Sequence, residues 1–418
     1  MTMVLERKGA GALLVFTVLF TATACTLLSF RQGGFDAGVA GYGLGVCALV
    51  ILAYTLAGAV FRHIDRITLV LCFFLACVGL VMLARLDMNA ALKQLAWLGI
   101  GCLVMFLTVV VIKRARNFGR INYLLMGLSF GLLVFAYLFA DYVGGAKNWI
   151  TVGGVSFQPS EASKVFFIII SAYFFSRRRG KIPSALYAVY TAACVGVLVL
   201  SNDLGGALLF AGTFLITFFA GTGKKLLTLA GIGVAAGGIV ASYYLVPHVK
   251  TRVQIWQDPW KYYSDKGYQI VQGLMAIAAG GLLGAGLGLG SPDVIPVNTS
   301  DFIFAAICEE FGLIFGITLI LLYLVFIIRG MIIARDAGNR FDALLVFGAM
   351  CMLTLQSFII IGGVIKLIPL TGITLPFISS GGSSLIACLC LVGMIEGVAA
   401  KNGERDEMKI RQAGGVVL

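Results

Sequence analysis

The sequence predicts an all-α, polytopic membrane protein with about twelve transmembrane helices. Of its 418 residues, 60% are hydrophobic and 12% are charged, and the mean hydropathy is +1.00. A soluble protein of this length needs a polar surface that this composition does not provide. The apolar stretches run for about twenty residues, which suits a helix crossing a hydrocarbon core of about 30 Å rather than a barrel strand of about ten residues.

Twelve apolar stretches are the candidate spans. The first of them lacks a cleavage site of small residues, so we do not expect a removable signal peptide. The predicted spans are 11–30, 37–61, 67–84, 95–112, 123–141, 162–176, 183–200, 205–220, 226–246, 302–328, 343–364 and 379–397.

Basic residues cluster in alternate loops between these spans. Because Lys and Arg are enriched on the cytoplasmic side of membrane proteins, we place both termini in the cytoplasm. The net charge of +12 then reflects topology and does not indicate nucleic-acid binding. The basic segments assigned to the cytoplasm are 7–8, 62–66, 113–120, 177–181, 224–225, 329–340 and the tail at 399–418.

The same orientation leaves two large loops, 142–161 and 247–301, on the outer side. Segment 257–269, QDPWKYYSDKGYQ, holds two acids, two lysines and four aromatic residues within the second loop. Aromatic rings favour the depth of the lipid headgroups. We therefore expect extracytoplasmic chemistry at this segment.

Several ionisable residues fall inside or at the edge of predicted spans. Such groups are costly in a membrane unless they are paired or face a polar cavity. Glu161 and Lys164 lie one helical turn apart on one face. They form either a structural ion pair or the lining of a cavity for a lipid headgroup. Together with Asp203, Glu309 and Glu310, they favour a working interior cavity.

Neither a nucleotide loop nor a protein metal site is predicted. The segment GGLLGAGLGLG (280–290) lacks the GxGxxG spacing and a preceding strand, so close backbone packing is the better interpretation. The ten cysteines form no CxxC pair, and His63 and His248 are the two histidines in the sequence.

Five motifs occur in order between residues 66 and 398 and together closely resemble the SEDS family (shape, elongation, division and sporulation) of the RodA/FtsW/SpoVE type. The family core has ten spans, so the resemblance implies a two-helix N-terminal addition (1–65), a membrane core (66–398) and a cytoplasmic tail (399–418). The addition would serve as a packing face or a partner contact. The motifs are GAKNWITVGGVSFQPSEASK (145–164), NDLGGAL (202–208), RVQIW with GYQIVQGLMAIAAGGLLGAGLG (252–288), TSDFIFAAICEEFG (299–312) and IPLTGITLPFISSGGSS (368–384).

This resemblance implies a peptidoglycan glycosyltransferase of the bacterial cytoplasmic membrane that polymerises lipid II on the outer face, beside a class B penicillin-binding protein. The donor sugar is α-linked and the product β-linked, so a single displacement needs one carboxylate base. The pyrophosphate leaving group needs cations or a divalent metal such as Mg²⁺ or Mn²⁺. The predicted substrate-binding residues are Glu161, Lys164, Asp203, Arg252, Lys261, Lys266, Glu309, Glu310 and Ser379.

The sequence departs from the family in the outer loop. The family pattern there reads approximately P-x-x-D-P-x-G-x-G-Y-Q, and Tyr262 and Tyr263 occupy its D-P positions. Tyrosine, with a pKa near 10, is a poor base at neutral pH. Either Asp258 or Asp265 has taken over as the catalytic base, or the base lies elsewhere or is missing.

Three functions follow from these alternatives. The first is the glycosyltransferase, the second is a lipid II flippase, and the third is a catalytically weak scaffold that activates a partner synthase. Intramembrane acids and glycines suit the flippase, although no inverted repeat is evident. The missing D-P pair favours the scaffold. The choice between elongation, division and sporulation depends on partners, so the sequence leaves it open.

Overall fold

The computed structural model describes residues 2–31, 34–114, 121–143, 145–153, 155–177 and 181–412, which form fourteen α-helices and three short strands. The two shorter helices are α10 (Pro247–Gln257) and α11 (Tyr268–Gly280). The long helices are α1 (Thr2–Ser29), α2 (Ala37–Val60), α3 (Arg66–Leu86), α4 (Met88–Arg114), α5 (Ile121–Phe139), α6 (Pro159–Ser176), α7 (Lys181–Leu200), α8 (Leu204–Thr222), α9 (Lys225–Leu245), α12 (Ile303–Arg335), α13 (Arg340–Val364) and α14 (Gly382–Gln412).

The all-α membrane fold predicted from the sequence is confirmed, and each long helix overlaps one predicted span. Of the described helices, ten are long and apolar enough to cross a membrane. The other two are α6, which carries Glu161 and Lys164, and α7, whose apolar part (Ala185–Leu200) is shorter. The count of twelve spans therefore stays a prediction.

Polar side chains and a proline fix where several helices begin. Asp36 accepts the Gly38 backbone N–H at 2.8 Å and caps α2, and Asp65 accepts the Thr68 N–H at 2.9 Å and caps α3. Helix α6 begins at Pro159, whose fixed φ suits the first helical turn. This start agrees with the sequence-based prediction.

The N-terminal helices α1 and α2 pack along α3. The Phe20 ring lies 5.4 Å from the Phe74 ring of α3 and stacks on Phe315 of α12 at 6.0 Å. The Tyr42 hydroxyl donates to the Leu80 carbonyl oxygen at 3.2 Å. The first two helices thus share one apolar core with the helices that follow, and the predicted boundary at residue 65 stays a prediction.

One end of the bundle, here called the loop end, carries residues 140–143, 145–153, 155–158, 246–302 and 365–381. The two long loops predicted here contain regular structure that we did not predict. Strands β1 (Asp141–Val143), β2 (Ala146–Val152) and β3 (Val155–Phe157) form a small antiparallel sheet in the order β1-β2-β3, and α10 and α11 occupy much of the second loop.

A glycine-rich segment, 280–290, packs backbone to backbone against α12. Helix α12 changes direction at Gly312, which has a φ of 86°. A Cβ atom on Gly284 would lie 2.3 Å from the Glu310 carbonyl oxygen, and one on Gly312 would lie 2.4 Å from the Gly284 nitrogen. The structure therefore agrees with the close backbone packing predicted for this segment.

At the opposite end, here called the tail end, ion pairs fasten the last turns of α14. Lys401 pairs with Asp342 of α13 at 3.0 Å, and Glu407 contacts His63 at 2.7 Å. Helix α14 runs without a break through residue 398. The predicted boundary between the membrane core and the cytoplasmic tail at that residue stays a prediction. Basic segments 115–120 and 178–180, residues 413–418, and the side chains of Arg7 and Lys8 lie outside the described residues.

Candidate functional site

A cavity of about 600 Å³ lies at the loop end. Its wall is built from β2, α6, α8, α10 and α11, from residues 297–301, and from residues 370–374. Five of the predicted substrate-binding residues meet there although they are far apart in the chain. These residues are Glu161, Lys164, Asp203, Arg252 and Lys266.

Glu161 and Lys164 form a buried ion pair in the first turns of α6. The Lys164 Nζ atom lies 2.6 Å from Glu161 Oε2, and both residues are 5% exposed. The ammonium also donates to Gln356 Oε1 at 3.1 Å, and Gln356 Nε2 donates to the Thr374 carbonyl oxygen at 2.9 Å. The predicted ion pair is therefore present and both residues line the cavity, while binding of a lipid headgroup there stays a prediction.

Asp203 closes the adjoining wall and caps α8. Its Oδ1 atom accepts the Gly206 backbone N–H at 2.8 Å. Its Oδ2 atom accepts the side-chain amides of Asn148 at 3.3 Å and Gln158 at 3.5 Å. Asp203 therefore ties the small sheet and the start of α6 to α8.

Besides Lys164 of α6, the cavity has cations from α10 and from the turn before α11, Arg252 and Lys266. Arg252 donates to the Leu370 carbonyl oxygen at 3.1 Å. Burial lowers the pKa of Arg252, and the charges of Asp301 and Asp203 act in the opposite direction. Burial also lowers the pKa of His248, and Arg252 and Lys266 add to that effect, so the imidazole is neutral at pH 7.

Asp301 is a cavity residue that the sequence analysis missed. It lies two residues before α12, and its Oδ1 atom accepts the Ser300 hydroxyl at 3.1 Å. Burial raises the pKa of Asp301 to about 6, against lowering contributions from Ser300 and Arg252. Its position in the quoted TSDFIF motif, directly before an apolar helix, was the available signal.

The two predicted catalytic acids lie outside the cavity wall. Asp258 is exposed at the end of α10, where its Oδ1 atom accepts the Lys261 backbone N–H at 3.3 Å. Asp265 is exposed in the turn before α11. Lys261, predicted to bind substrate, is exposed and does not line the cavity either. The roles of these three residues stay predictions.

Glu309 and Glu310 hold the glycine-rich segment rather than line the cavity. Glu310 Oε1 pairs with Arg85 Nε at 2.7 Å, and its Oε2 atom accepts the Gly288 N–H at 3.0 Å. Glu309 Oε1 accepts the Ser291 N–H at 2.8 Å. Their role in substrate binding stays a prediction. The contacts described here give both acids a structural role.

Ser379 lies behind the cavity wall and not in it. Its hydroxyl donates to the Ser300 carbonyl oxygen at 2.6 Å and accepts the Leu375 N–H at 2.9 Å. Ser380, which does line the cavity, donates its backbone N–H to the Thr299 carbonyl oxygen at 2.9 Å. The contacts of Ser379 place the segment that carries Asp301, and its predicted contact with substrate stays a prediction.

The comparisons with known proteins agree with this architecture. The FtsW/RodA/SpoVE family model, described as "Cell cycle protein", matches residues 44–404. This chain belongs to the FtsW/RodA/SpoVE family. The resemblance stated from the motifs is therefore confirmed.

Relatives in the family match most of the chain. The "Peptidoglycan glycosyltransferase RodA" of Mycobacterium tuberculosis is 34% identical, covering 97% of this chain and 92% of the relative. The "Stage V sporulation protein E" of Bacillus subtilis is 35% identical, covering 74% of this chain and 86% of the relative.

Solved structures of the family share the fold. A chain from the structure described as "Structural coordination of polymerization and crosslinking by a peptidoglycan synthase complex" has a TM-score of 0.71 at 29% identity. It covers 81% of this chain and 98% of its own length. The rod shape determining protein RodA of Thermus thermophilus has a TM-score of 0.61 at 26% identity, covering 80% of this chain and 96% of its own.

Proposed function

We propose that this chain is a peptidoglycan glycosyltransferase that polymerises lipid II at the outer face of the bacterial cytoplasmic membrane. The relatives named above are peptidoglycan glycosyltransferases or a sporulation protein of the same family. The observation that carries the proposal is the polar cavity among apolar helices. Buried charges in such a setting mark a functional site, because they are costly to keep there.

The charges of the cavity suit a sugar joined to a pyrophosphate. Lys164, Arg252 and Lys266 line one volume and would balance the negative charge of the leaving pyrophosphate. Glu161 and Asp203 hold two walls of the cavity in place through their contacts with Lys164 and the start of α8. The lipid tail would remain in the bilayer beside the loop end.

A divalent cation, Mg²⁺ or Mn²⁺, remains part of the proposal. Within the described ranges, no group of three or more His, Cys, Asp or Glu side chains is arranged to hold a metal ion. Mg²⁺ commonly keeps few protein ligands and takes substrate phosphate oxygens instead. The pyrophosphate itself would therefore bring the ion, and removal by EDTA followed by readdition tests this.

The proposed partner is a class B penicillin-binding protein that cross-links the new strand. The related chain in the peptidoglycan synthase complex supports this pairing. The orientation with both termini in the cytoplasm belongs to the same proposal, since lipid II is polymerised on the outer side. No nucleic acid is expected to bind.

Incubation of the purified full-length chain with lipid II, with and without the partner, tests the function. Glycan strands resolved on a gel would support the glycosyltransferase. Transfer of lipid II across proteoliposomes without polymer would contradict it in favour of a flippase. Polymer made only by an added synthase, and increased by this chain, would contradict it in favour of the scaffold that the missing D-P pair suggests.

Replacing Arg252 with Gln should raise the KM for lipid II about tenfold, because one charge-assisted contact of about 1.4 kcal/mol is lost. Lys250→Gln is the matched control, since Lys250 is exposed on the same helix two residues away and does not line the cavity. Equal effects of the two changes on KM would show that the cavity does not bind the pyrophosphate.

A further inference from the structure

Three carboxylates line the cavity among the described residues, and two of them are already engaged. Glu161 lies 2.6 Å from the Lys164 ammonium. Asp203 accepts one backbone N–H and two side-chain amides. A carboxylate that holds structural partners in this way is poorly placed to accept a further proton during a reaction. The Asp301 carboxylate, by contrast, has one hydrogen bond within the described part of the chain, from the Ser300 hydroxyl.

The segment around Asp301 is rigidly held. The Ser300 carbonyl oxygen accepts the Ser379 hydroxyl at 2.6 Å, and the Thr299 carbonyl oxygen accepts the Ser380 N–H at 2.9 Å. Phe302, the next residue, is fully buried. A base must be held within reach of one proton, and this anchoring provides such a position on a rigid element.

We infer that Asp301 is the general base of the proposed glycosyl transfer, in place of an acid in the 257–269 loop. This inference rests on the proposed function. The acceptor sugar hydroxyl attacks the anomeric carbon of the donor, forming a C–O bond with inversion. The bond from that carbon to the phosphate oxygen breaks, and undecaprenyl pyrophosphate leaves with the electron pair. The proton of the acceptor hydroxyl passes to the Asp301 carboxylate.

The environment of Asp301 suits a base that works near neutral pH. Burial raises its pKa to about 6, which leaves the side chain mostly ionised at pH 7 but more basic than an exposed aspartate. The Arg252 guanidinium lies close to it: a Cβ placed on Gly372 would be 3.5 Å from Asp301 Oδ2 and 3.8 Å from an Arg252 guanidinium nitrogen. The other charged or titratable groups of the cavity wall are Glu161 and Lys164 of α6, Asp203 before α8, His248 of α10, and Lys266 before α11.

The loop acids lack this setting. Asp258 and Asp265 are both exposed, and neither side chain contributes to the cavity wall. Tyr262, at the position where the family has its aspartate, packs partly buried against the apolar core. In this chain the loop therefore offers aromatic packing at the position where the family pattern has a carboxylate. Of the three described carboxylates that line the cavity, Asp301 is the one not engaged by a salt bridge or by several amides.

Polymerisation of lipid II by four purified chains tests the inference: the parent, Asp301→Asn, the double variant Asp258→Asn/Asp265→Asn, and Asp141→Asn as an exposed control at the same end. We expect Asp301→Asn to lower kcat at least about 100-fold, the usual range for loss of a general base, while lipid II binding is retained. A loss confined to the double variant would overturn the inference in favour of the loop acids.

The pH profile of the unmodified chain gives a readout that needs no substitution. Because only the ionised carboxylate accepts a proton, kcat should rise as the pH increases through about 6. A flat profile between pH 5 and 7 would overturn the inference. Absence of polymer from the parent chain defeats the proposed function itself, whereas polymer from the parent and equally from Asp301→Asn defeats the assignment of Asp301 alone.

Discussion

Ser379 shows how one hydroxyl fixes the geometry of a distant carboxylate. It connects the loop between α13 and α14 to the segment before α12 by donating to the Ser300 carbonyl oxygen and accepting the Leu375 N–H. Asp301 is the next residue after Ser300, so its position depends on this connection. Ser379 is thus a positioning residue in the structure.

Replacing Ser379 with Ala should leave two buried backbone groups without their partner, at about 1–3 kcal/mol of folding stability. Because Asp301 would shift and the cations would not, kcat should fall while the KM for lipid II stays nearly constant. Ser383→Ala is the control, since the Ser383 hydroxyl is buried without a hydrogen-bond partner among the described residues. A rise in KM with unchanged kcat would contradict the positioning role.

At the scale of single residues, the sequence predicted the pairing of Glu161 with Lys164 because their spacing of one helical turn is a local property. Asp301 was missed because its role depends on chain segments that are distant in the sequence, those of Arg252 and Ser379. Asp258 and Asp265 drew attention because they are charged within an unusual segment. Exposure, which the sequence does not display, is what separates them from Asp301.

At the scale of elements, the glycine-rich segment and α12 form one unit. The backbone of residues 280–290 lies so close to α12 that side chains at Gly284 or Gly312 have no room. The Glu310 side chain accepts the backbone N–H of Gly288 in this segment, and the Glu309 side chain accepts that of Ser291, the residue after it. The two acids therefore stabilise the bend in α12. These contacts explain why the acids are buried, and no substrate is needed for that.

Gly312→Ala should lower folding stability by more than about 1–3 kcal/mol, because a positive φ is unfavourable for alanine and the added Cβ meets backbone atoms. Thermal unfolding in detergent measures the change. Gly127→Ala in α5 is the control: nothing lies within 4 Å of its Cβ position, and alanine is the better helix former. Similar melting temperatures for both variants would contradict the close backbone packing of residues 280–290 against α12.

The regular elements of the loop end were harder to predict than the long helices. A span of twenty apolar residues carries a strong signal. Strands β2 and β3 are short and hold polar residues. The Gly153–Gly154 pair, which lies between them in the sequence, was an available signal. Helix α10 is short, and its five polar or charged residues other than His248 obscure any simple apolar pattern.

At the scale of the whole molecule, the cavity lies at one end of the bundle and the ion pairs of α14 lie at the other. The orientation is expected to expose the loop end to the outside. In intact cells, a membrane-impermeant maleimide should therefore label Tyr263→Cys, and should label Lys224→Cys only after permeabilisation. Both positions are exposed in the structure. The reverse pattern would contradict the orientation and the outer location of the site.

Helix α9 differs from the other long helices because it has no buried residue along its length. Its twenty-one residues would span about 31 Å, close to the thickness of a hydrocarbon core. We therefore expect the depth of α9 to respond to the surrounding lipid more than that of the buried helices does. Helix α9 leads through Val246 directly into α10, which carries His248 and Arg252. We therefore expect a change in bilayer thickness to shift α10 and with it one wall of the cavity.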